Sequence, residues 1–215
     1  MRAVIFDMDG LLLDTERLAA LAYDYAGEAT GIGKAGYMIE SVLGLTVTAA
    51  DAVLAAEFGD GYDPTAFAAR KREFTLDYEA KCGVPVKPYA REIVSYLKSR
   101  CVRIALASST YADVVKRQLT SVGIYDSFDA VITGDMVTHS KPAPDIYLRA
   151  CEALEVDPSD AIALEDGKNG ILSAHAAGCG VIAVPDLWQP DDEAKRIVRA
   201  VARDLGDVIE MMKMM

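Results

Sequence analysis

The chain has 215 residues, 52% of them hydrophobic and 26% charged, a composition that is typical of a folded protein and excludes disordered and fibrous classes. It carries 22 Lys and Arg against 33 Asp and Glu, and the resulting net charge of −11 argues against nucleic-acid and membrane-surface partners, which bind clustered positive charge. Because apolar runs stay shorter than the ~18 residues of a membrane span and none has the form of a signal peptide, we expect a cytoplasmic protein.

The first predicted element is a buried strand at Arg2–Asp7, where a continuous apolar run ends at an acid. Further short, β-branched runs predict strands at Val102–Ala107, Ala130–Thr133, Ala161–Leu164 and Val181–Val184. Segments of helical spacing separate them and predict helices at Tyr89–Ser99, Tyr111–Val122, Ala143–Leu154 and Gly167–Ala177. Strands that alternate with helices indicate an α/β fold with a doubly wound parallel sheet.

A helical segment is inserted between the first two predicted strands. Residues 16–82 show no strand signal, and apolar residues such as Leu18, Leu21 and Tyr25 have the spacing of a helix face. A loop in this position usually has about 2–6 residues, so a segment of this length is expected to pack by itself. We therefore predict an α/β core at residues 1–15 and 83–215 and a small helical-bundle domain at residues 16–82.

The cysteines Cys82, Cys101, Cys151 and Cys179 are far apart in the sequence and form no Cys-x-x-Cys pair. Zinc sites and redox motifs need such a pair or a nearby His, so neither is expected. We expect all of these thiols to be reduced and buried.

Polar side chains follow the carboxyl ends of the predicted core strands. They are Asp7 and Asp9 after the first strand, Ser108 after the second, Lys141 in the loop after the third, and Glu165 and Asp166 after the fourth. Open parallel sheets place their ligand crevice at this edge. Four carboxylates gathered there repel one another and have Lys141 as their local counter-charge, so a divalent cation is implied. Ligation by oxygen atoms favours Mg²⁺ over zinc or copper.

The Asp7 and Asp9 pair has a sharper interpretation than metal binding alone. The two acids stand at i and i+2 after a strand, and Gly10 allows the chain to turn at once, so both carboxylates could flank one substrate atom. This arrangement suits phosphoryl transfer, in which Asp7 attacks phosphorus while Asp9 protonates the departing oxygen and later activates water. Mg²⁺ and Lys141 would offset charge on the phosphoryl oxygens, and the Ser108 hydroxyl would hold one of them.

Four stretches of the sequence resemble, in order, the motifs of the haloacid dehalogenase (HAD) superfamily. They are Phe6–Glu16 (FDMDGLLLDTE), Leu106–Thr110 (LASST), Ser140–Tyr147 (SKPAPDIY) and Leu164–Gly170 (LEDGKNG). Nearly the whole chain is similar to phosphohydrolases of the β-phosphoglucomutase-like branch, which implies a Rossmann-like core and an all-helical cap. Dehalogenating members lack the second acid of the Asp-x-Asp pair, so the presence of Asp9 favours a phosphate ester as substrate.

The resemblance also implies catalytic and metal-binding roles. Asp7 is then the nucleophile that becomes an aspartyl-phosphate, and Asp9 is the general acid and base. Asp166, Asp7 and the backbone carbonyl of Asp9 hold Mg²⁺, and Glu165 reaches the ion directly or through water.

Phosphate-binding roles follow from the same resemblance. Ser108, Ser109 and Lys141 are expected to hold the phosphoryl group. Within the helical insertion, Lys71 is the basic residue expected to face the substrate and Glu16 is expected to stand near it. A solvated helix face explains Lys71, and a helix start with an N-terminal acid explains Glu16, equally well from the sequence.

The predicted reaction is Mg²⁺-dependent hydrolysis of a small phosphomonoester, such as a sugar phosphate, by a chain expected to be a monomer. A sugar phosphomutase of the β-phosphoglucomutase type is the alternative. In the mutases that the chain resembles, a His lies five residues beyond the Asp of an Asp-Thr step and a cap Arg three residues beyond a Gly. Counted from Asp14 and Gly44, this chain has Ala19 and Val47, which can neither bind phosphate nor relay a proton, so hydrolysis is favoured.

A phosphoacceptor or binding module without enzymatic activity is the minor alternative. A receiver domain also gathers acids, a hydroxyl and a Lys around Mg²⁺, but it needs no helical insertion after its first strand. A silent binding module would be expected to lose one of the acids, and all of them are present.

Overall fold

The structure, a computed structural model, describes residues 2–43, 45 and 47–214. The chain folds into two compact units, one formed by Met1–Leu13 with Val86–Met215 and the other by Asp14–Pro85. The predicted insertion at residues 16–82 falls inside the second unit. Its role as a cap remains a prediction.

The Asp14–Pro85 unit is helical. Its helices are α1 (Thr15–Thr30), α2 (Ile39–Val42), α3 (Val47–Phe58) and α4 (Pro64–Cys82). Leu18 and Ala22, one turn apart on α1, are buried. Leu21 is 51% exposed and Tyr25 is 37% exposed, so the apolar face of α1 is narrower than the spacing predicts. Asp63 caps α4 by accepting hydrogen bonds from two backbone N–H groups of its first turn.

A parallel sheet organises the other unit. Within the described residues its strands are β1 (Ala3–Phe6), β2 (Arg103–Ser108), β3 (Ala130–Thr133), β4 (Ala161–Glu165), β5 (Gly180–Ala183) and β6 (Ala200–Val201). The spatial order is β3-β2-β1-β4-β5-β6, and all neighbouring strands are parallel. β2 and β3 are added on one side of β1, and β4, β5 and β6 are then added on the other side. This order confirms the predicted doubly wound sheet.

Helices connect and cover the strands of this sheet. They are α5 (Ala90–Ser99), α6 (Ala112–Ser121), α7 (Asp145–Ala153), α8 (Lys168–Ala176), α9 (Asp192–Ile197) and α10 (Leu205–Lys213). One core cluster contains Ile5 of β1, Ala163 of β4, Tyr147 of α7 and Ile171 of α8, all fully buried. Across the described ranges, no helix has both the length and the apolar character that a membrane span requires.

The cysteines are free thiols, but the prediction that all are buried is wrong for two of them. Cys151 and Cys179 are buried in the core of the sheet unit, with their Sγ atoms 3.7 Å apart. Cys82 and Cys101 are exposed, because Cys82 is the last residue of α4 and Cys101 lies in a left-handed turn after α5, with φ 56°.

Candidate active site

The register of the sheet brings the polar residues of neighbouring strands to one edge. Phe6, the last residue of β1, lies opposite Leu106 of β2 and Leu164 of β4. Asp7 follows Phe6, and its backbone N–H donates to the Leu164 carbonyl at 3.1 Å. Asp7 therefore lies at the same level of the sheet as Glu165, the last residue of β4.

A tight turn after Asp7 fixes the second acid. Gly10 has a φ of 81°, a backbone conformation that residues other than glycine rarely adopt. Its N–H donates to the Leu13 carbonyl at 2.9 Å. The Asp9 Oδ2 atom accepts hydrogen bonds from Thr110 Oγ1 at 2.8 Å and from Ser108 Oγ at 3.4 Å. The carboxylate of Asp9 is thus held against the loop that follows β2.

The last residue of β2 and the two residues that follow it carry hydroxyl groups in different environments. Ser108 is fully buried, and its Oγ accepts a hydrogen bond from the Thr110 backbone N–H at 3.1 Å. Ser109 is exposed, and a Cβ added to Gly134 would lie 2.2 Å from its carbonyl oxygen, so the close approach of these loops requires glycine. Thr110 belongs to the Leu106–Thr110 motif, but the sequence gives no signal for its contact with Asp9.

Lys141 joins two carboxylates from different strands. Its Nζ lies 2.6 Å from Asp7 Oδ1 and 2.6 Å from Glu165 Oε1, and its side chain is only 7% exposed. Charge-assisted hydrogen bonds of this length in a buried place are strong and well oriented. The ammonium group therefore fixes the separation of the Asp7 and Glu165 side chains.

Three buried carboxylates form a possible metal site. One oxygen each from Asp7, Glu165 and Asp166 can be chosen so that all lie within 4.8 Å of one another. Hard oxygen ligands from carboxylates are the donors that Mg²⁺ accepts, usually together with several waters. The donor set fits the ion that the sequence implied.

The pKa values of the buried groups give an electrostatic reason for a cation. Burial raises the pKa of Asp7 well above its usual range, the charges of Glu165 and Asp9 raise it further, and the Lys141 ammonium offsets only part of this effect. Burial alone would lower the pKa of Lys141, but Asp7 and Glu165 reverse this and raise it, so Lys141 remains charged. A bound cation would favour the ionised form of Asp7.

Two residues beside the Glu165 carboxylate, Tyr147 and Gly170, were not predicted as site residues from the sequence. Tyr147 of α7 is fully buried, and its hydroxyl donates to Glu165 Oε1. Gly170 of α8 leaves room for the carboxylate, because an added Cβ would lie 2.0 Å from its carbon and both of its oxygens. Both residues belong to quoted motifs, yet Tyr147 has the spacing of a core residue and Gly170 is a helix residue without a side chain.

The remaining predicted substrate residues, Lys71 and Glu16, belong to the Asp14–Pro85 unit. Lys71 Nζ lies 4.5 Å from the centroid of the Tyr23 ring and 5.5 Å from that of Phe67, which are cation–π distances. Burial lowers the pKa of Lys71, and the charge of Asp51 partly offsets this. Glu16 is a partly buried residue in the first turn of α1. Their substrate roles remain predictions.

Comparison with known proteins gives consistent matches. The family model described as haloacid dehalogenase-like hydrolase matches residues 1–178. The chain is 33% identical over 183 residues to the phosphorylated carbohydrates phosphatase of Thermotoga maritima, covering 83% of this chain and 82% of that protein. It is 33% identical over 194 residues to hexitol phosphatase B of Escherichia coli, covering 85% and 83%. A solved structure from Thermotoga maritima, named as a candidate β-phosphoglucomutase, has a TM-score of 0.82, 27% identity and 99% coverage of both chains.

Proposed function

The chain belongs to the haloacid dehalogenase-like hydrolase family, and we propose that it is a Mg²⁺-dependent phosphatase of small phosphorylated metabolites. The observation that carries this proposal is the position of Asp7. Its carboxylate shares the Lys141 ammonium with Glu165 and lies within the possible metal site, two residues before a second acid held by Thr110. A nucleophile, a counter-charge, a metal site and an acid/base group therefore meet at one edge of the sheet.

The proposed reaction has two steps, each of which uses this chain's own groups. In the first, an Asp7 oxygen attacks phosphorus, the bond from phosphorus to the ester oxygen breaks, and Asp9 donates a proton to the departing alcohol. In the second, Asp9 takes a proton from water, the water oxygen attacks phosphorus, and Asp7 leaves as a carboxylate. Inorganic phosphate is released, and Asp9 has regained its proton.

The other groups of the site stabilise charge. Lys141 and the Ser108 hydroxyl would balance and hold phosphoryl oxygens, together with Ser109, the next residue along the chain. Asp7, Asp166, the Asp9 carbonyl and Glu165 would hold Mg²⁺, which supplies further positive charge to the transferring group. Lys141 also keeps Asp7 oriented toward the site before substrate binds.

The names of the relatives suggest the substrate class. The two curated relatives described above are named as phosphatases of phosphorylated carbohydrates and of hexitols. We propose a phosphorylated sugar or sugar alcohol as the substrate here, and a cytoplasmic location that matches such metabolites. A nucleic-acid or membrane partner is not proposed, in keeping with the net charge of −11.

A phosphomutase is the second candidate function, because the solved structure with a TM-score of 0.82 bears the name of a candidate mutase. Mutases must protect the phosphoenzyme from water while a bisphosphate intermediate turns around. The two positions expected to carry a His and an Arg in a mutase are Ala19, which is partly buried, and Val47, which is 72% exposed. Gly44, from which Val47 was counted, lies outside the described residues. The apolar side chains of Ala19 and Val47 cannot bind a second phosphate.

The function is tested by phosphate release from a panel of small phosphomonoesters, with Mg²⁺ and with a chelator. We expect release over many turnovers with Mg²⁺, fastest for sugar and sugar-alcohol phosphates, and almost none with the chelator. Release that stops at one equivalent, or no release from any ester, would instead support a phosphoacceptor or binding module.

Substitution of Gly170 by Ala tests the confinement of Glu165. Ala is favoured over Gly in a helix by about 1 kcal/mol, but the new methyl group would collide with the Glu165 carboxylate. We therefore expect the free energy of unfolding to fall by about 1–3 kcal/mol and kcat/KM to fall about a hundredfold. Thermal unfolding and phosphate release measure the two effects.

Gly61→Ala is the matched control, because a Cβ there would meet Ile32 at 3.5 Å, an ordinary van der Waals distance. Its stability and activity should stay close to those of the wild type. If Gly170→Ala behaves like this control, the Glu165 carboxylate is not confined as described.

A further inference from the structure

We propose that the hydroxyl of Tyr147 is a positioning group for the metal site, because it donates a hydrogen bond to the same Glu165 oxygen that Lys141 binds and so orients the Glu165 carboxylate. This inference rests on the proposed function, in which Glu165 contributes to a Mg²⁺ site. The buried Tyr147 hydroxyl takes no part in the two proposed reaction steps.

The first observation is the convergence of two donors on one oxygen. Tyr147 OH and Lys141 Nζ both donate to Glu165 Oε1, the latter at 2.6 Å. Oε1 accepts two hydrogen bonds, so in this proposal Oε2 would be the oxygen that binds the cation. The two donors together restrict the rotation of the Glu165 carboxylate.

The second observation is that Tyr147 also contacts Lys141. The Lys141 Nζ atom lies 5.2 Å from the centroid of the Tyr147 ring, within the range of a cation–π interaction. The ring supports the ammonium group, while the hydroxyl at its edge reaches the carboxylate that the same ammonium binds. Tyr147 thus touches both partners of the Lys141–Glu165 pair.

Packing alone does not account for a hydroxyl in this place. Tyr147 is fully buried in the core cluster, where a phenylalanine ring would fill nearly the same volume. A buried hydroxyl carries a desolvation cost unless it is hydrogen-bonded, and here its partner is a carboxylate of the possible metal site. Burial and the charges of Glu165 and Asp7 raise the pKa of Tyr147 well above its usual value, so the group remains an O–H donor.

Gly170 also lies against the Glu165 carboxylate, because an added Cβ there would lie 2.0 Å from both Glu165 oxygens. The carboxylate therefore has little room to rotate away once Tyr147 and Lys141 hold Oε1. Outer groups that orient a metal ligand commonly contribute 10–100-fold to metal affinity, so the effect of losing the hydroxyl should be measurable.

The test is calorimetric titration of the metal-free protein with MgCl₂, which needs no turnover. Tyr147→Phe, which keeps the ring, should weaken Mg²⁺ binding about tenfold. The substrate KM measured at saturating Mg²⁺ should change less than twofold. Tyr96→Phe removes a hydroxyl from α5 and is the matched control, with wild-type Mg²⁺ affinity expected. In a Glu165→Gln background, Tyr147→Phe should have almost no further effect.

Several results would overturn the proposal. They are wild-type Mg²⁺ affinity in Tyr147→Phe, an equal loss in the Glu165→Gln background, loss of the folded state in Tyr147→Phe, and absence of Mg²⁺ binding by the wild type. A wild type that binds Mg²⁺ with the expected Tyr147 dependence but hydrolyses no ester would support the positioning role while rejecting the proposed function.

Discussion

Asp7→Asn is expected to fold normally and to lose turnover by about 10⁴-fold or more, the largest effect that we expect from one substitution. An amide is a poor nucleophile toward phosphorus, and the change also removes one of the three carboxylates of the possible metal site. Folding should survive, because burial raises the pKa of Asp7 and the ionised group is costly to bury without a cation. Lys141 keeps Glu165 as a partner in the variant.

The loss is measured as phosphate release at saturating Mg²⁺, with circular dichroism to verify the fold. Asp113→Asn, an exposed substitution of the same type on α6, is the control and should retain activity. Turnover of Asp7→Asn near the wild-type rate would remove Asp7 from the role of nucleophile.

Asp9→Asn is expected to retain metal and substrate binding but to lose general acid and base catalysis. We expect kcat to fall by about 10²–10⁴-fold on a sugar phosphate, whose alcohol is a poor leaving group. The loss should be smaller on an activated aryl phosphate, because an aryl oxide leaves without a proton. The amide can still accept the hydrogen bond that Thr110 donates to Asp9, so the loop should keep its position.

The ratio of the two losses is the informative quantity for Asp9. It is obtained from kcat of the wild type and of Asp9→Asn on both esters at one pH. An equal loss on the two esters would argue that Asp9 does not protonate the leaving oxygen.

The strands were predictable where burial is complete. Parallel strands covered on both faces contain continuous apolar runs, and Ala3–Phe6 and Gly180–Ala183 are buried along their full length. The edge strand Ala200–Val201 has two residues, one of them exposed, and leaves no such run. Its position depends on pairing with β5, which the local sequence does not encode.

The acids of the site were predictable because strand ends determine where they lie. Asp7 and Glu165 come at the ends of adjacent strands in register, so their meeting follows from the sheet alone. Tyr147 could not be assigned in this way, because its place on an apolar helix face has the pattern of a core residue. Its hydroxyl reaches Glu165 only through the packing of α7 on the sheet.

The need for a glycine beside Glu165 could not be predicted from the sequence either. Gly170 matters because of what a Cβ would displace, and that depends on where the Glu165 carboxylate lies in three dimensions. The contact of Thr110 with Asp9 likewise joins residues about a hundred positions apart, and it becomes visible only when the two loops are placed together.

In the proposed reaction water, and not a second sugar hydroxyl, takes the phosphoryl group from Asp7. The most direct measurement is the ratio of products from β-glucose 1-phosphate with Mg²⁺ and a trace of the 1,6-bisphosphate. We predict that free phosphate forms faster than glucose 6-phosphate, because Ala19 and Val47 offer no group to retain a second phosphate. Glucose 6-phosphate forming faster than free phosphate would contradict the hydrolase assignment and identify a mutase.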